Sequence, residues 1–194
     1  MAVIVARNPR GDIATYDAVE MQMDPELNLV DFLSCPADCP ETILNNAKTI
    51  AETIAKKFNL VGIMAIEMFV TKDDQLLVNE LAPRPHNSGH HSIEACYTSQ
   101  YTQLLLCLLD LPLGDTTLYS PAVMLNLIGE DGHDGPATYP GLDSSLPAGT
   151  FVHIYGKKNT RPGRKMGHLT ILAKSVDSAL EKAKIAKSVL KVRT

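Results

Sequence analysis

Two glutamates in neighbouring apolar segments, Glu67 and Glu80, are the first candidates for chemistry. The segments, 61–70 and 75–81, are separated by polar residues and predict the two strands of a β-hairpin. A turn at Asp73-Asp74 would place Glu67 directly opposite Glu80. Two like charges across one ladder repel each other, and the apolar neighbours limit screening by water.

A carboxylate pair of this kind can relieve its repulsion in two ways. One carboxylate can take up a proton, or a divalent cation can lie between the two. Such oxygen donors suit Mg²⁺, which typically takes one or two carboxylates together with substrate phosphates. The same register would place Phe69 opposite Val78 and Ala65 opposite Ala82. The alternatives are a solvated hairpin edge with harmless acids, or a one-residue slip that separates the glutamates.

A polar loop directly follows the second strand of the hairpin: Arg84-Pro85-His86-Asn87-Ser88-Gly89-His90. It supplies a guanidinium, two imidazoles, an amide and a hydroxyl, and Gly89 would let the backbone approach a ligand closely. Beside a metal-binding pair, these groups are suited to a small anion such as bicarbonate or phosphate. The alternative is a polar surface loop whose His and Asn side chains cap the following helix.

A third cluster holds five of the chain's 18 lysines and arginines: Lys157, Lys158, Arg161, Arg164 and Lys165. The dipeptide Pro162-Gly163 predicts a tight turn, which would aim Arg161 and Arg164 from either side of one bend. Converging cations would bind a phosphate group. The alternatives are a solvated basic hairpin tip and a nucleic-acid patch, in which only Tyr155 could stack on a base.

The composition excludes several classes of protein. The 194 residues are 45% hydrophobic and 21% charged, which is typical of a folded chain rather than a disordered one. A net charge of −4 and the absence of tryptophan argue against a nucleic-acid-binding surface. Since no apolar run approaches the roughly 20 residues of a membrane helix and no signal peptide begins the chain, we expect a cytoplasmic protein. Cys35 and Cys39 could form half of a zinc site, but reduced cysteines are favoured because no second ligand pair follows.

The candidate residues depend on the strands and helices that position them. Apolar runs between turn signals predict further strands at 3–6, 13–20, 27–33, 122–128, 151–155 and 168–173. Helical spacing predicts an amphipathic helix from Pro40 to Asn59, a nearly fully buried helix at 99–110, and a final helix with Asp177 as its N-cap. The fold class is therefore α+β. The sequence changes character after Gly114, which predicts an antiparallel sheet with packed helices in residues 1–114 and a small mixed α/β domain in residues 115–194.

Taken together, these segments resemble a known family. The chain is similar to the 5-(carboxyamino)imidazole ribonucleotide synthases, also called the ATPase subunit of phosphoribosylaminoimidazole carboxylase, within the ATP-grasp superfamily. The likeness spans almost the whole chain and is carried by Glu67, Leu77 to His90, Thr98-Ser99-Gln100, Leu111-Pro112-Leu113-Gly114 and Arg161 to His168. It implies that residues 1–114 are the C-terminal portion of an ATP-grasp domain, and that residues 115–194 form a C-terminal domain with a basic ribonucleotide-phosphate loop.

The resemblance implies an ATP-dependent carbon–nitrogen ligase of purine biosynthesis. ATP would phosphorylate bicarbonate to carboxyphosphate, and the amine of 5-aminoimidazole ribonucleotide would capture the carboxyl group as a carbamate. Glu67 and Glu80 are implied to bind Mg²⁺ on the ATP phosphates, and Asn79 and Glu80 to contact the nucleotide. The residues implied to be catalytic at the bicarbonate or imidazole end are Arg84, His86 and Asn87. The residues implied to bind the ribonucleotide 5′-phosphate are Lys157 and Arg164, with Tyr155, Arg161 and Lys165 close by.

The chain departs from the family pattern in three respects. Ala82 stands where ATP-grasp ligases often have an asparagine, and Asn79 would face the other side of the sheet in an unbroken register. His91 stands where many members have an aromatic residue. Family members are also much longer, so an N-terminal half with a Rossmann-like domain and phosphate-gripping lysines would precede this chain. We therefore expect the chain alone to be inactive.

The implied partners are 5-aminoimidazole ribonucleotide, bicarbonate, the N-terminal half, a second copy in a homodimer and, in some organisms, a mutase that accepts the carbamate. No nucleic acid or membrane partner is expected. An ATP-dependent formyltransferase of purine synthesis is an alternative, although the loop from Arg84 to His90 favours carboxylation. The chain could also be a non-catalytic nucleotide-phosphate-binding module, or a structural core without a ligand.

Overall fold

The computed structural model describes residues 1–24, 29–143 and 146–194, which form two compact units. The first unit contains residues 1–21 and 35–120, and the second contains residues 22–34 and 121–194. The predicted boundary after Gly114 lies shortly before the chain passes into the second unit, and as a domain boundary it stays a prediction. No pattern in the sequence indicated that residues 22–24 and 29–34 pack with the second unit.

Strands and helices follow each other along both units. The strands are β1 (Ala2–Arg7), β2 (Ile13–Thr15), β3 (Glu20–Asp24), β4 (Leu29–Cys35), β5 (Gly62–Val70), β6 (Leu76–Ala82), β7 (Ala122–Ile128), β8 (Gly135–Pro136), β9 (Thr150–Ile154), β10 (Asn159–Thr160) and β11 (Lys165–Leu172). The helices are α1 (Glu41–Lys57), α2 (Ser92–Ala95), α3 (Gln100–Leu108) and α4 (Val176–Val189). In the described part of the chain, every helix is too short or too polar to span a membrane.

The first unit is an antiparallel sheet with the strand order β2-β1-β5-β6, as the predicted fold class requires. Helix α1 packs on one face of this sheet through alanines at successive turns, Ala47, Ala51 and Ala55, which are fully buried. These small side chains let the helix backbone approach the strands closely. The predicted end of the helix at Asn59 is confirmed, since this residue takes a left-handed φ of 48° just after the last turn.

Helix α3 corrects the expectation of a nearly fully buried helix. Its buried positions are Gln100, Gln103 and Cys107, whereas Leu105 and Leu108 are 58% and 57% exposed. A helix of this length contacts its neighbours along one stripe of residues at three- and four-residue spacing. Leu105 and Leu108 fall outside that stripe, whereas Leu104 packs against the core, so apolar character alone did not predict which leucines are buried.

The second unit contains a five-stranded sheet with the order β3-β4-β7-β11-β9 and a separate β8-β10 pair. Helix α4 packs on the larger sheet through Ala179, Ala183 and Ala186. The predicted N-cap at Asp177 is wrong, because Ser175 accepts the cap hydrogen bond from the Ser178 amide.

Two of the predicted strands also differ from the structure. The strand predicted at 13–20 is limited to Ile13–Thr15, before the separate strand β3. The strand predicted at 27–33 is observed as β4 from Leu29, and its residues 27 and 28 lie outside the described residues.

Candidate functional site

The carboxylate pair lies on the hairpin of strands β5 and β6. The predicted pairing is confirmed, since Glu67 is the register partner of Glu80 and Ala65 is the partner of Ala82. The Glu67 side chain is 18% exposed, whereas Glu80 lies on the exposed edge strand. Glu67 shares its face of β5 with the buried residues Ile63 and Ala65, because alternate residues of a strand point the same way. The Glu67 carboxylate is therefore largely shielded from solvent, whereas the Glu80 carboxylate is accessible to a ligand.

A β-bulge next to this pair changes the rest of the hairpin register. It inserts Asn79 as an extra residue between Glu80 and Val78. Phe69 consequently pairs with Leu77, and the expectation that it would face Val78 is wrong. Bulges are favoured on edge strands and can re-aim a side chain. The expectation that Asn79 faces away from the glutamates assumed an unbroken alternation, which the bulge removes.

An apolar pair beside the glutamates was missed by the sequence reasoning. Phe69 and Leu77 lie two positions from Glu67 on the same face of the sheet, and they are 61% and 52% exposed. Exposed apolar side chains next to oxygen donors suit a planar ring attached to an anionic group. The available signal was an aromatic residue two positions after a glutamate in an edge hairpin.

The donor set at the pair fits a metal that brings further ligands with it. Within residues 1–24, 29–143 and 146–194, no group of three or more His, Cys, Asp or Glu side chains is placed to hold a metal ion. Two carboxylates alone match Mg²⁺ completed by phosphate oxygens and water. Cys35 and Cys39 form no disulfide, and among the described residues neither belongs to a group of three or more possible metal ligands. Burial raises the pKa of both thiols.

The loop after β6 brings His86 to this pair. His86 Nε2 lies 3.8 Å from Glu67 Oε1, and the His86 side chain is 14% exposed. Its other ring nitrogen, Nδ1, is 2.8 Å from the Ser88 hydroxyl and accepts the Ser88 amide at 3.4 Å. In the neutral ring this arrangement leaves the proton on Nε2, facing the carboxylate. His86 thus caps the short 3₁₀ turn Asn87–Gly89 and also lies close to Glu67, so the capping role does not exclude a role at the carboxylate pair, which stays a prediction.

The remaining residues of the loop differ in their surroundings. Asn87 Nδ2 is buried and has no hydrogen-bond partner among the described residues, which makes it a donor suited to an anion oxygen. Arg84 is exposed, and its guanidinium donates to the neighbouring Pro85 carbonyl at 3.1 Å. His91, a departure from the family pattern, is fully buried, and burial lowers its pKa to about 4. Its neutral ring lies 3.2 Å from the Ser88 carbonyl and supports the loop from beneath.

The basic loop lies in the second unit and contains the predicted tight turn. The Arg164 amide donates to the Arg161 carbonyl at 3.0 Å, and Gly163 has a left-handed φ of 72°. Gly129, at the end of β7, receives the Gly163 amide and donates to the Arg164 carbonyl. A Cβ at Gly129 would overlap the Arg161 carbonyl oxygen. The turn is therefore held tightly against Gly129 by two backbone hydrogen bonds.

Two cations of this loop, Lys157 and Arg164, donate to backbone carbonyls. Lys157 Nζ donates to the Lys165 carbonyl at 2.6 Å and lies 5.6 Å from the centre of the Tyr155 ring. Arg164 Nη1 donates to the Asn159 carbonyl at 3.0 Å. In the described ranges of the chain, no carboxylate forms an ion pair with Lys157 or Arg164. Their charge is therefore available to an anionic ligand.

A row of rings supports Tyr155 from within the sheet. The Tyr155 hydroxyl is 2.9 Å from His168 Nδ1. His168 is 2% exposed and stacks on His153 of the neighbouring strand, with ring centres 4.4 Å apart and an interplanar angle of 13°. Gly167 allows this close approach, since a Cβ there would overlap the His153 carbonyl oxygen. His153 was not predicted near the basic site, and His168, which ends the segment from Arg161 that carries the resemblance, was given no role there.

Two protein families match separate parts of this chain. Residues 1–101 match the ATP-grasp domain family, and residues 122–182 match the phosphoribosylaminoimidazole carboxylase C-terminal domain. N5-carboxyaminoimidazole ribonucleotide synthetase from Thermotoga maritima is 49% identical with a TM-score of 0.93, and the match covers 100% of this chain and 52% of that one.

Two further relatives also match nearly the whole of this chain and about half of their own length. N5-carboxyaminoimidazole ribonucleotide synthase of Bacillus subtilis is 40% identical over 93% of this chain and 46% of its own length. The Aspergillus clavatus N5-carboxyaminoimidazole synthase, solved with ADP and 5-aminoimidazole ribonucleotide, is 30% identical with a TM-score of 0.85, covering 97% of this chain and 50% of that one. The chain thus spans about half the length of the relatives it matches.

Proposed function

Because this chain belongs to the ATP-grasp family, as its motifs predicted, we propose that it is the C-terminal part of a carbon–nitrogen ligase that carboxylates 5-aminoimidazole ribonucleotide. The names of its relatives support this activity, and so does the match to the carboxylase C-terminal domain. The observation that carries the proposal is the pairing of Glu67 with Glu80 beside His86. It joins a metal-binding carboxylate pair to an anion-binding loop.

The first step would be transfer of the γ-phosphoryl group of ATP to bicarbonate, which gives carboxyphosphate and ADP. Glu67 and Glu80 would hold Mg²⁺, which when bound neutralises the charge on the transferred group. The exposed Phe69 and Leu77 offer an apolar surface for the adenine ring. Asn79, re-aimed by its bulge, is proposed as a further contact of the nucleotide.

The bicarbonate end is assigned to Arg84, His86 and Asn87. The buried Asn87 amide and the His86 Nε2 proton are donors at this loop, and Arg84 adds an exposed positive charge. Donors that are fixed before the anion arrives lower the cost of orienting it for attack. The amine of the ribonucleotide would then attack the carboxyl carbon of carboxyphosphate, releasing phosphate and forming the carbamate.

The ribonucleotide 5′-phosphate is assigned to the basic loop of the second unit. Lys157 and Arg164 would form the clamp, since each already donates to a backbone carbonyl that fixes its side chain. The neighbouring groups of this clamp are Tyr155, Arg161 and Lys165. A planar guanidinium beside an ammonium group matches the oxygens of a phosphate in number and charge.

The complete enzyme would include an N-terminal half, since the relatives are about twice as long as this chain. We propose that this half supplies the remaining ATP contacts, that the whole protein is a cytoplasmic homodimer, and that a mutase consumes its unstable carbamate. Four free cysteines support a reducing compartment. The chain alone is expected to bind ligand without turnover, so ATP hydrolysis by this chain that depends on bicarbonate and ribonucleotide would contradict this expectation.

Calorimetric titration with 5-aminoimidazole ribonucleotide tests the proposal. We expect wild-type chain to bind and Arg164→Ala to lose most of the affinity, with circular dichroism verifying that both are folded. A folded wild-type chain that does not bind would refute a phosphate site formed by this loop alone. A non-catalytic module would bind equally well after Glu67 and Glu80 are changed to glutamine and would show no response to Mg²⁺. Formate in place of bicarbonate, given to the full-length enzyme, distinguishes a formyltransferase.

A further inference from the structure

The loop after β6 is hydrogen-bonded to a glutamine side chain from helix α3, which has no acidic, basic or nucleophilic group. Gln100 is the first residue of α3 and is fully buried. Its Oε1 accepts the His86 amide at 2.9 Å, and its Nε2 donates to the His86 carbonyl at 2.9 Å. The side-chain carboxamide therefore pairs with both polar groups of one residue, as a neighbouring strand would.

This pairing also fixes the hydrogen bonding of a second histidine. Because Oε1 must face the His86 N–H, the orientation of the carboxamide is determined, and its Nε2 lies 3.0 Å from His90 Nδ1. An amide nitrogen only donates, so His90 Nδ1 accepts and the neutral ring carries its proton on Nε2. The Tyr101 hydroxyl lies 3.2 Å from the same His90 nitrogen and is compatible with that tautomer.

The packing leaves little freedom for the carboxamide. A Cβ at Gly89 would lie 2.5 Å from Gln100 Oε1 and 2.7 Å from its Cδ, so the amide rests directly on the glycine backbone. The Gln100 amide nitrogen donates to Ser92 Oγ at 2.9 Å, and Ser92 in turn donates to the Gly89 carbonyl. Gln100 is thus hydrogen-bonded directly to His86 at the start of the turn and, through Ser92, to Gly89 at its end.

We propose that Gln100 is a positioning residue, which holds His86 against Glu67 and holds His90 as the tautomer protonated on Nε2. The geometric part stands on the hydrogen bonds alone. The consequence for catalysis rests on the proposed function of the loop.

A matched control lies on the same helix. Gln103 is also fully buried, its Nε2 donates to the Gly114 carbonyl at 3.3 Å, and its Oε1 accepts the Gly114 amide at 3.0 Å. It makes the same pair of hydrogen bonds as Gln100, but to a segment that contains none of the candidate site residues. A general role in stability would give the same results at both glutamines.

The test is nitrogen NMR of the imidazole rings in the 194-residue chain, in wild type, Gln100→Glu and Gln103→Glu. Wild type is expected to show His90 protonated on Nε2 only. Gln100→Glu replaces the donor by an acceptor, so the His90 proton should move to Nδ1, and Gln103→Glu should leave His90 unchanged. A wild-type His90 protonated on Nδ1 overturns the proposal without any variant, as does a His90 that responds equally to both substitutions.

A second pair of variants covers the case in which a buried carboxylate prevents folding. In Gln100→Met, hydrogen exchange at the His86 amide should accelerate at least about tenfold, whereas Gln103→Met should accelerate exchange at Gly114 and leave His86 protected. Unchanged exchange at His86 in Gln100→Met would overturn the proposal.

Activity of the full-length enzyme separates this proposal from the proposed function. There, Gln100→Met should lower kcat for bicarbonate-dependent ATP hydrolysis at least about tenfold, with the KM for ribonucleotide within about twofold of wild type. If Gln100→Met displaces the two histidines and turnover is unchanged, the positioning proposal stands. The role in catalysis that is assigned to the loop is then refuted. Absence of any such activity in the wild-type enzyme would refute the proposed function alone.

Discussion

Changing Glu80 to glutamine should stabilise the metal-free protein while removing its response to Mg²⁺. Directly opposed residues of an antiparallel pair have Cβ atoms about 5 Å apart, so two ionised carboxylates at that distance, in the water-like dielectric around exposed Glu80, repel by about 0.8 kcal/mol. Glu80→Gln removes that repulsion and keeps the size of the side chain. In a chain of 194 residues this corresponds to a melting temperature higher by about 2 °C.

Mg²⁺ should reverse the order of stability. At ten times its dissociation constant, a cation bound only to the native state adds about 1.4 kcal/mol to wild type. The variant lacks one of the two carboxylates and should gain little, so it becomes the less stable protein. The two melting curves are compared in EDTA and in excess Mg²⁺ at about pH 8, where a histidine of ordinary pKa such as a solvated imidazole is neutral.

Two controls distinguish the pair from general charge effects. Glu181→Gln removes an exposed carboxylate from α4 and should show neither the stabilisation in EDTA nor the loss of the Mg²⁺ response. Raising the salt concentration should shrink the difference between wild type and Glu80→Gln in EDTA, because repulsion involving an exposed charge is screened. The reasoning is refuted if Glu80→Gln melts below wild type in EDTA, or if it keeps the full stabilisation by Mg²⁺.

Three other outcomes are expected. Arg164→Ala should weaken binding of 5-aminoimidazole ribonucleotide at least about tenfold by calorimetry, while Lys158→Ala changes it less than about twofold; equal losses would mean a diffuse charge effect. Gly167→Ala should lower the free energy of unfolding by about 2 kcal/mol or more in denaturant titration, since its Cβ would overlap the His153 backbone oxygen, and an unchanged midpoint would contradict that contact. The pKa of His91 is lowered to about 4, so the unfolded chain binds the extra proton between pH 6.5 and 4, and stability should fall by up to about 3 kcal/mol as the pH drops through this range. His91→Gln should flatten that slope, and a variant as acid-sensitive as wild type would exclude His91 as its cause.

The hairpin shows how far sequence patterns reach. The opposition of Glu67 and Glu80 was predictable, because alternation in two apolar segments and one turn at Asp73-Asp74 leave few registers that bury the same face. The bulge at Asn79 was not predictable, since it depends on β6 being an edge strand, which no local pattern of residues states. The acid pair was therefore found, whereas the neighbouring Phe69 and Leu77 pair was not.

The turn of the basic loop was predictable, whereas the contacts that support it were not. Pro162-Gly163 predicts a tight turn, and the turn is present with Gly163 in the left-handed region, while phosphate binding by the surrounding cations stays a prediction. The contacts that hold it come from Gly129, directly after β7, and from the His168 ring that faces the Tyr155 hydroxyl. Such contacts join residues far apart in the sequence, so they follow from the tertiary fold and not from local composition.

Helix α3 explains why two segments without reactive side chains are among those that carry the family resemblance. Thr98-Ser99-Gln100 and Leu111 to Gly114 contain no acid, base or cation, yet they accompany the loop from Arg84 to His90. A buried carboxamide costs several kcal/mol unless its hydrogen bonds are made, and both buried glutamines of α3 make them to the backbone of a nearby loop. A Cβ at Gly114 would overlap the Thr98 hydroxyl, so the segments 98–100 and 111–114 are also in close contact with each other. The loop with the candidate catalytic groups and the loop that ends at Gly114 are thus anchored on one helix, and two of its buried positions are glutamines because their partners there are peptide groups.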